Sequence, residues 1–186
     1  MNKQRWYRSA FIALGTFALL FMAFSGYEQI AIKRPIQNAV AKHACFQIDQ
    51  FNLDKREIQL QLKVASYSDD WMQQYLDIEK MVNQHRGKRS TKILINVDKT
   101  WENTWNHLYM LVSTSIDHHD FAQIVMEQQK WQEMLQIDDL QFNMDEAHLF
   151  VMVQKDDKIL LQVLPIQSEK GGDPIASGTL AGNLGR

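Results

Sequence analysis

Residues 56–64 read Arg56-Glu57-Ile58-Gln59-Leu60-Gln61-Leu62-Lys63-Val64. Ile58, Leu60, Leu62 and Val64 alternate with Gln59, Gln61 and Lys63. A strand turns successive side chains to opposite faces, so period two predicts one buried face and one wet face. That is how a strand of an antiparallel sheet with one covered face reads.

The neighbouring stretches extend this pattern. Upstream, residues 45–51 read as a strand with Phe46 and Ile48 on one side, followed by a turn over 52–55. Pro35 suits the first turn of a short helix over 36–42. Downstream, Ser68 suits an N-cap, and Asp69 and Asp70 suit the first turn of a helix. Trp71, Tyr75, Ile78 and Val82 form its apolar stripe, widened by Met72 and Leu76, and Gly87 fits its C-terminal stop. Ile93, Ile95 and Val97 make a third strand.

Thr100 is expected to cap a second long helix, with Trp101, Trp105, Leu108, Val112 and Ile116 on its buried side. A third helix carries Phe121, Ile124, Val125, Trp131 and Leu135. Strand patterns at 140–144, 148–153 and 159–164 follow, and the pair Asp156-Asp157 suits a tight hairpin turn. The order is α-β-β-α-β, then α-α-β-β-β. It predicts an α+β fold, a two-layer α/β sandwich with a mostly antiparallel sheet and helices on one face. The sequence helix, strand, strand occurs at 36–64 and again at 120–153.

At the N-terminus, residues 9–26 carry no charge and would rise roughly 27 Å as a helix, nearly the hydrocarbon thickness of a bilayer. Trp6, Tyr7 and Tyr27 flank the run where interfacial aromatics belong. A cleaved signal peptide is the competing reading, since Ala23-Phe24-Ser25 places small residues where a signal peptidase reads. Lys3, Arg5 and Arg8 crowd one side, while Lys33, Arg34 and Lys42 lie farther out on the other. Proximity favours a cytoplasmic N-terminus and a single-pass cell-membrane protein whose domain is extracytoplasmic. The expected organisation is a cytoplasmic tail (1–8), a transmembrane anchor (9–27), a stalk (28–34), an α+β domain (35–166) and a flexible C-terminal tail (167–186) rich in glycine and small residues.

Composition narrows the function. The chain has 186 residues, 45% of them hydrophobic and 23% charged, which is a globular balance. The net charge of −2 argues against nucleic acid as a partner, because readers of phosphates normally carry a basic face. The single cysteine, Cys45, excludes an internal disulfide and a thiolate zinc site, and its place before an apolar strand favours burial. There is no G-x-S-x-G, P-loop, dinucleotide fingerprint or H-E-x-x-H. A non-enzymatic protein without a cofactor is expected.

Three constellations remain. In Ser115-Ile116-Asp117-His118-His119-Asp120-Phe121, two imidazoles sit between two carboxylates. Adjacent histidines on a turn diverge, whereas helical metal sites use spacings of three or four. Asp120 also suits an N-cap, with Gln123 completing a capping box. The favoured reading is an interhelical joint. The alternative is a metal site on Asp117, His118, His119 and Asp120, with distant help from Glu102, His107 or His148. The second constellation is basic: His85, Arg86, Lys88 and Arg89, with Lys80 and Lys92 nearby. It reads either as a helix C-terminus with its preferred cations or as a contact for an anionic surface through Arg86, Lys88 and Arg89. The third is the polar sheet face of Gln47, Gln59, Gln61 and Lys63, which is either plain surface or a contact for a partner or a second copy. Trp71, Trp101, Trp105 and Trp131 read as core, and His107 as a partly buried, hydrogen-bonded histidine.

The anchor, the hairpin ending in IQLQLKV, the helix ending near HRGKRS, the strand KILINVD and the later long helices resemble single-pass extracytoplasmic proteins of Gram-positive, often spore-forming bacteria, many of them uncharacterised. The resemblance spans most of residues 5–165. The α-β-β-α-β order at 36–97 also looks like the small ring-building modules of membrane-spanning secretion and sporulation assemblies. Those modules self-associate through sheet edges and helix faces, and the elements after residue 100 depart from a single module. The functional expectation is a membrane-anchored interaction or assembly domain of the cell envelope, with a protein partner or a homo-oligomer. The alternative is a metal- or ligand-binding sensor, or a metal-dependent enzyme, using His118 and His119.

Overall fold

A computed structural model describes residues 3–118 and 120–166, with side chains outside 3–12 and 23–25. The fold is mixed α+β, and its elements follow the expected order. Helix α1 (Lys3–Glu28) continues through a π-helical turn (Gln29–Lys33) into α2 (Arg34–Ala41). Then come β1 (Phe46–Leu53), β2 (Glu57–Val64), α3 (Trp71–His85), β3 (Ser90–Ile95), α4 (Glu102–Asp117), α5 (Phe121–Leu135), β4 (Asp139–Met144), β5 (His148–Lys155) and β6 (Lys158–Pro165).

The strands form two three-stranded sheets, where one sheet was expected. The chain divides into two compact units between Val97 and Asp98, and each unit holds its own sheet. Period-two patterns mark strands but carry no information about which strands pair, so the division is invisible at that level.

In the first unit the order is β1-β2-β3. The β1–β2 hairpin is antiparallel, and β3 returns parallel to β2 after α3, as a helical crossover requires. Ile58, Leu60 and Leu62 are fully buried, while Gln59 and Gln61 are half-buried and Lys63 is exposed. Strand β1 runs two residues past its expected end. Its register shifts between Ile48 and Gln50, so that Phe51 pairs with Leu60 and Leu53 with Ile58. A bulge at this point returns the apolar residues to the side of Phe46 and Ile48 after a one-residue slip in their spacing. What read as a turn from residue 52 is therefore strand, and the turn begins at Asp54.

Helix α2 packs against α3 and β1, and Tyr75 meets Phe46 edge to face at 6.4 Å. The start of α3 differs from expectation. Asp70, not Ser68, occupies the position before the helix, and the Ser68 hydroxyl donates to its carboxylate. Gln74 Nε2 donates to the same carboxylate at 2.7 Å, and Gln74 Oε1 accepts from the Cys45 backbone N–H at 3.1 Å. This chain of bonds ties the entry of β1 to the first turn of α3 and satisfies a buried donor. The bonds from Ser68 and then Gln74 hold the Asp70 carboxyl below the usual range. Gly87 adopts φ 62°, the left-handed conformation that ends α3 as expected.

The second unit is an antiparallel meander, β4-β5-β6. Asp156 and Asp157 both have positive φ, 49° and 61°, which suits the tight turn between β5 and β6. Residues 149–153 of β5 are all buried, so this central strand does not show the single wet face of β2. The α4 cap also differs from expectation: Thr100 N–H and its hydroxyl donate to Asp98, each at 2.9 Å, and the helix begins at Glu102. Trp131 of α5 lies edge to face with Phe142 of β4 at 6.1 Å, and its Nε1 donates to Glu127 at 3.1 Å. Gln128 and Gln132 donate from α5 to the carbonyls of Leu140 and Asp138, occupying acceptors along the start of β4. Strand β4 lies at the edge of its sheet, where unpaired carbonyls would otherwise be open.

Asp145 closes the β4–β5 turn, accepting from the backbone N–H groups of Ala147 and His148 at 2.7 Å each, with the His148 ring 3.2 Å away. Burial pushes its carboxyl up, but those backbone bonds and the His148 ring outweigh it and hold it below the usual range. A carboxyl lowered in the folded state stabilises above its unfolded pKa, and that stability is lost as pH falls through the folded pKa. Acid titration of unfolding should therefore show a loss of stability below the ordinary aspartate range, and Asp145→Asn should flatten part of that slope. An unchanged slope in Asp145→Asn would remove Asp145 from the account.

Candidate functional site

The polar face of the first sheet follows from strand register. Gln47 pairs with Lys63, Gln50 with Gln61 and Asn52 with Gln59, while Lys92 and Leu94 of β3 pair with Gln59 and Gln61. Partners in register share a face. The expected surface of Gln59, Gln61 and Lys63 is thus one contiguous patch, and it extends to Gln50, Asn52 and Lys92. The bulge hides Gln50 and Asn52, since period two carried on from Phe46 puts them on the wrong side, and Lys92 joins only through the β2–β3 pairing.

The basic cluster is not a simple solvated turn. Arg89 Nη2 donates to Glu28 Oε1 at 2.6 Å, and its Nε donates to the Asp54 carbonyl at 2.9 Å. Both side chains of the ion pair are largely covered. Ser90 N–H donates to the Arg56 carbonyl, and Arg89 N–H to the Arg86 carbonyl. Arg89 therefore clasps three segments: the end of α1, the β1–β2 turn and the α3–β3 loop. Lys55, Arg56 and Lys88 are exposed around it, and Arg86 is half-buried. Lys33 lies over the ring of Phe51, 5.9 Å from its centroid. Arg86, Lys88 and Arg89 are legible along the chain, but Lys55 and Arg56 are about thirty residues away and join them through the β2–β3 pairing and the Arg89 bond to the Asp54 carbonyl.

The histidine joint forms as a joint. His118 is exposed at the C-terminal end of α4, with Nδ1 3.3 Å from the Thr114 carbonyl. Asp117 is exposed as the last residue of α4, and His119 lies outside the described residues. Asp120 caps α5, accepting from Gln123 N–H at 3.2 Å. The return half of the capping box is absent, because the Gln123 side chain pairs with Ser115 and Glu127 and the Asp120 N–H donates to the Ser115 carbonyl. His107 and His118 are both in or at the end of α4, eleven positions and roughly 16 Å of helix apart, so they cannot share an ion. Glu102 is farther still. His148 is held by Asp145. Among the described residues no group of three or more His, Cys, Asp or Glu is placed to hold a metal.

His107 is exposed rather than half-buried, because it falls one position before the buried Leu108 stripe. Trp71, Trp101 and Trp131 are core, while Trp105 is half-buried and lies 5.9 Å from Tyr109. Cys45 is fully buried, and desolvation, followed by the nearby Asp70 charge, pushes its thiol pKa up, which disfavours thiolate chemistry. A small apolar groove of about 40 Å³ lies between α5 and the second sheet, lined by Phe121, Ile124, Val125, Phe142, Met144 and Leu149. It has no titratable group and room for little more than water.

Among the described side chains of helix α1 the apolar ones are exposed: Leu14, Phe17, Leu19, Leu20 and Phe21 are all 65–70% accessible. It is long and apolar enough to cross a membrane. Comparison with protein-family models, curated proteins and solved structures gives no match to this chain.

Proposed function

We propose that the chain is a non-enzymatic, membrane-anchored interaction domain that scaffolds or regulates an assembly of the cell envelope. Its N-terminus is cytoplasmic and its two units are extracytoplasmic. In this reading α2 and α3 cover the apolar face of the first sheet in a two-layer arrangement, leaving the Gln59–Gln61–Lys63 face for a protein partner or a second copy.

The observation that carries the proposal is the join between anchor and domain. Helix α1, the π-helical turn and α2 are continuous from Lys3 to Ala41, with Glu28 tied to Arg89. The stalk expected over 28–34 is helical throughout. The π-helical turn accommodates Pro35, whose missing N–H and ring would break a regular α-helix. An exposed apolar helix fused in this way to a folded unit fixes that unit's height and orientation at the membrane. Such an arrangement suits presentation of a surface more than release of a product.

The test is crosslinking of full-length protein in its native membrane, with a photoreactive residue in place of Gln61. One recurring partner or a self-ladder is expected. Lys63→Glu should reduce its yield severalfold, because a reversed charge inside a contact is left unpaired. Unchanged yield in Lys63→Glu would remove this face, and absence of any specific product would remove the assembly reading.

A further inference from the structure

We infer that the loops gathered by Arg89 form a juxtamembrane platform that binds the headgroups of anionic phospholipids. The inference rests on the membrane-anchored reading and adds to it a ligand class and a set of residues.

The geometry begins with the apolar run. It ends at Gly26, and Glu28 follows two residues later, about 3 Å farther along the helix axis. A membrane that holds α1 therefore places Glu28 in the headgroup layer, which is several ångströms deep on each side of the hydrocarbon. Tyr27 and Ile30 are exposed at this level, an amphipathic ring and an apolar side chain at the boundary.

Glu28 does not stand alone there. The 2.6 Å ion pair brings Arg89 to the same height, and the bonds from Arg89 and Ser90 bring the β1–β2 turn with it. Lys55, Arg56, Arg86 and Lys88 lie in the loops that these bonds join to the end of α1. Glu28 is paired with Arg89, which leaves Asp54 and Glu57 as the two carboxylates in the same loops against the four cations Lys55, Arg56, Arg86 and Lys88. The balance at this end of the unit is cationic although the whole chain is slightly acidic.

Arg89 and the other cations have different roles. Arg89 is a positioning residue, with its guanidinium taken up by Glu28 and Asp54. Lys55, Arg56 and Lys88 are exposed and present their charge outward, joined by the half-buried Arg86. Clustered Lys and Arg at a bilayer surface attract anionic lipid, and the attraction falls off within a Debye length, so it is sensitive to salt. A loop cluster far from the membrane would not have this option. Here the ion pair to the anchor fixes the distance.

The experiment uses full-length protein reconstituted in phosphatidylcholine vesicles, with spin-labelled phosphatidylglycerol or spin-labelled phosphatidylcholine as the reporter lipid. Selectivity for phosphatidylglycerol of about fivefold or more is expected at low salt. It should fall towards parity in the variant Lys55→Gln/Arg56→Gln/Arg86→Gln/Lys88→Gln. It should also fall in the unmodified protein at high salt, a readout that needs no substitution. Lys130→Gln, on α5 of the second unit, should leave it unchanged. Parity in the unmodified protein at low salt would overturn the inference. Flotation of the same vesicles separates the two readings. Protein that fails to float removes the anchor itself, whereas protein that floats without selectivity removes only the platform.

Discussion

Leu60→Ala should destabilise the first unit by about 3 kcal/mol. Leu60 is fully buried in the central strand of the β1-β2-β3 sheet. It pairs with Phe51 on one side and Ile93 on the other, so its side chain is hemmed by strands that are themselves anchored. The cost combines lost transfer free energy with a cavity that cannot collapse easily. Gln61→Ala, one residue away on the other face, should cost within about 0.5 kcal/mol. Urea unfolding of the full chain in mild detergent, with amide exchange read across β2, measures both. Equal costs at the two positions would mean that the two faces are equally buried, and the polar face would lose its standing as a contact surface.

Trp131→Ala should destabilise the second unit by about 4 kcal/mol. Trp131 is 2% exposed, contacts Phe142 edge to face and donates its indole N–H to Glu127. Truncation removes the largest side chain joining α5 to β4 and frees an acceptor. Trp131→Phe keeps most of the apolar area and should lose only about 1 kcal/mol with the hydrogen bond. Met134→Ala, three residues on and 55% exposed, should be near neutral. Amide exchange in β4 should follow the same ranking. A small effect of Trp131→Ala would show that β4 is held chiefly by β5 rather than by α5.

These two residues also show how far the sequence could be read. Leu60 and Trp131 were both legible as core, because each belongs to a periodic apolar pattern contained in one element. The same is true of the hairpin at Asp156 and Asp157, the stop at Gly87 and the exposed apolar helix α1. In each case the signal lies within a few neighbouring residues and depends on local backbone geometry. Where the local rule failed, a competing local partner had taken over. Asp98 takes up the Thr100 N–H and hydroxyl, and Trp101 stands before α4; Asp70 takes up the Ser68 hydroxyl and itself stands before α3. Short polar side chains near a helix start can bond to one another or to the backbone just before it instead of capping the helix, and packing selects among these choices.

The sequence by itself determined the α+β class, the order of the elements, most of the residues that face the core and the segment suited to a membrane, although Val125, expected on the apolar side of α5, is 69% exposed. Tertiary structure alone decided that six strands form two sheets, that β3 runs parallel to β2, and that a bulge in β1 extends the polar face to Gln50 and Asn52. It also decided that the β1–β2 turn carrying Lys55 and Arg56 is bonded to the α3–β3 loop through Arg89 and Ser90, with Arg89 paired to Glu28. Each of these depends on pairing between residues far apart in the chain. Local periodicity says which side of a strand is apolar, but not which strand lies beside it. That choice is made by the whole set of buried contacts against the entropy of closing the loops between them.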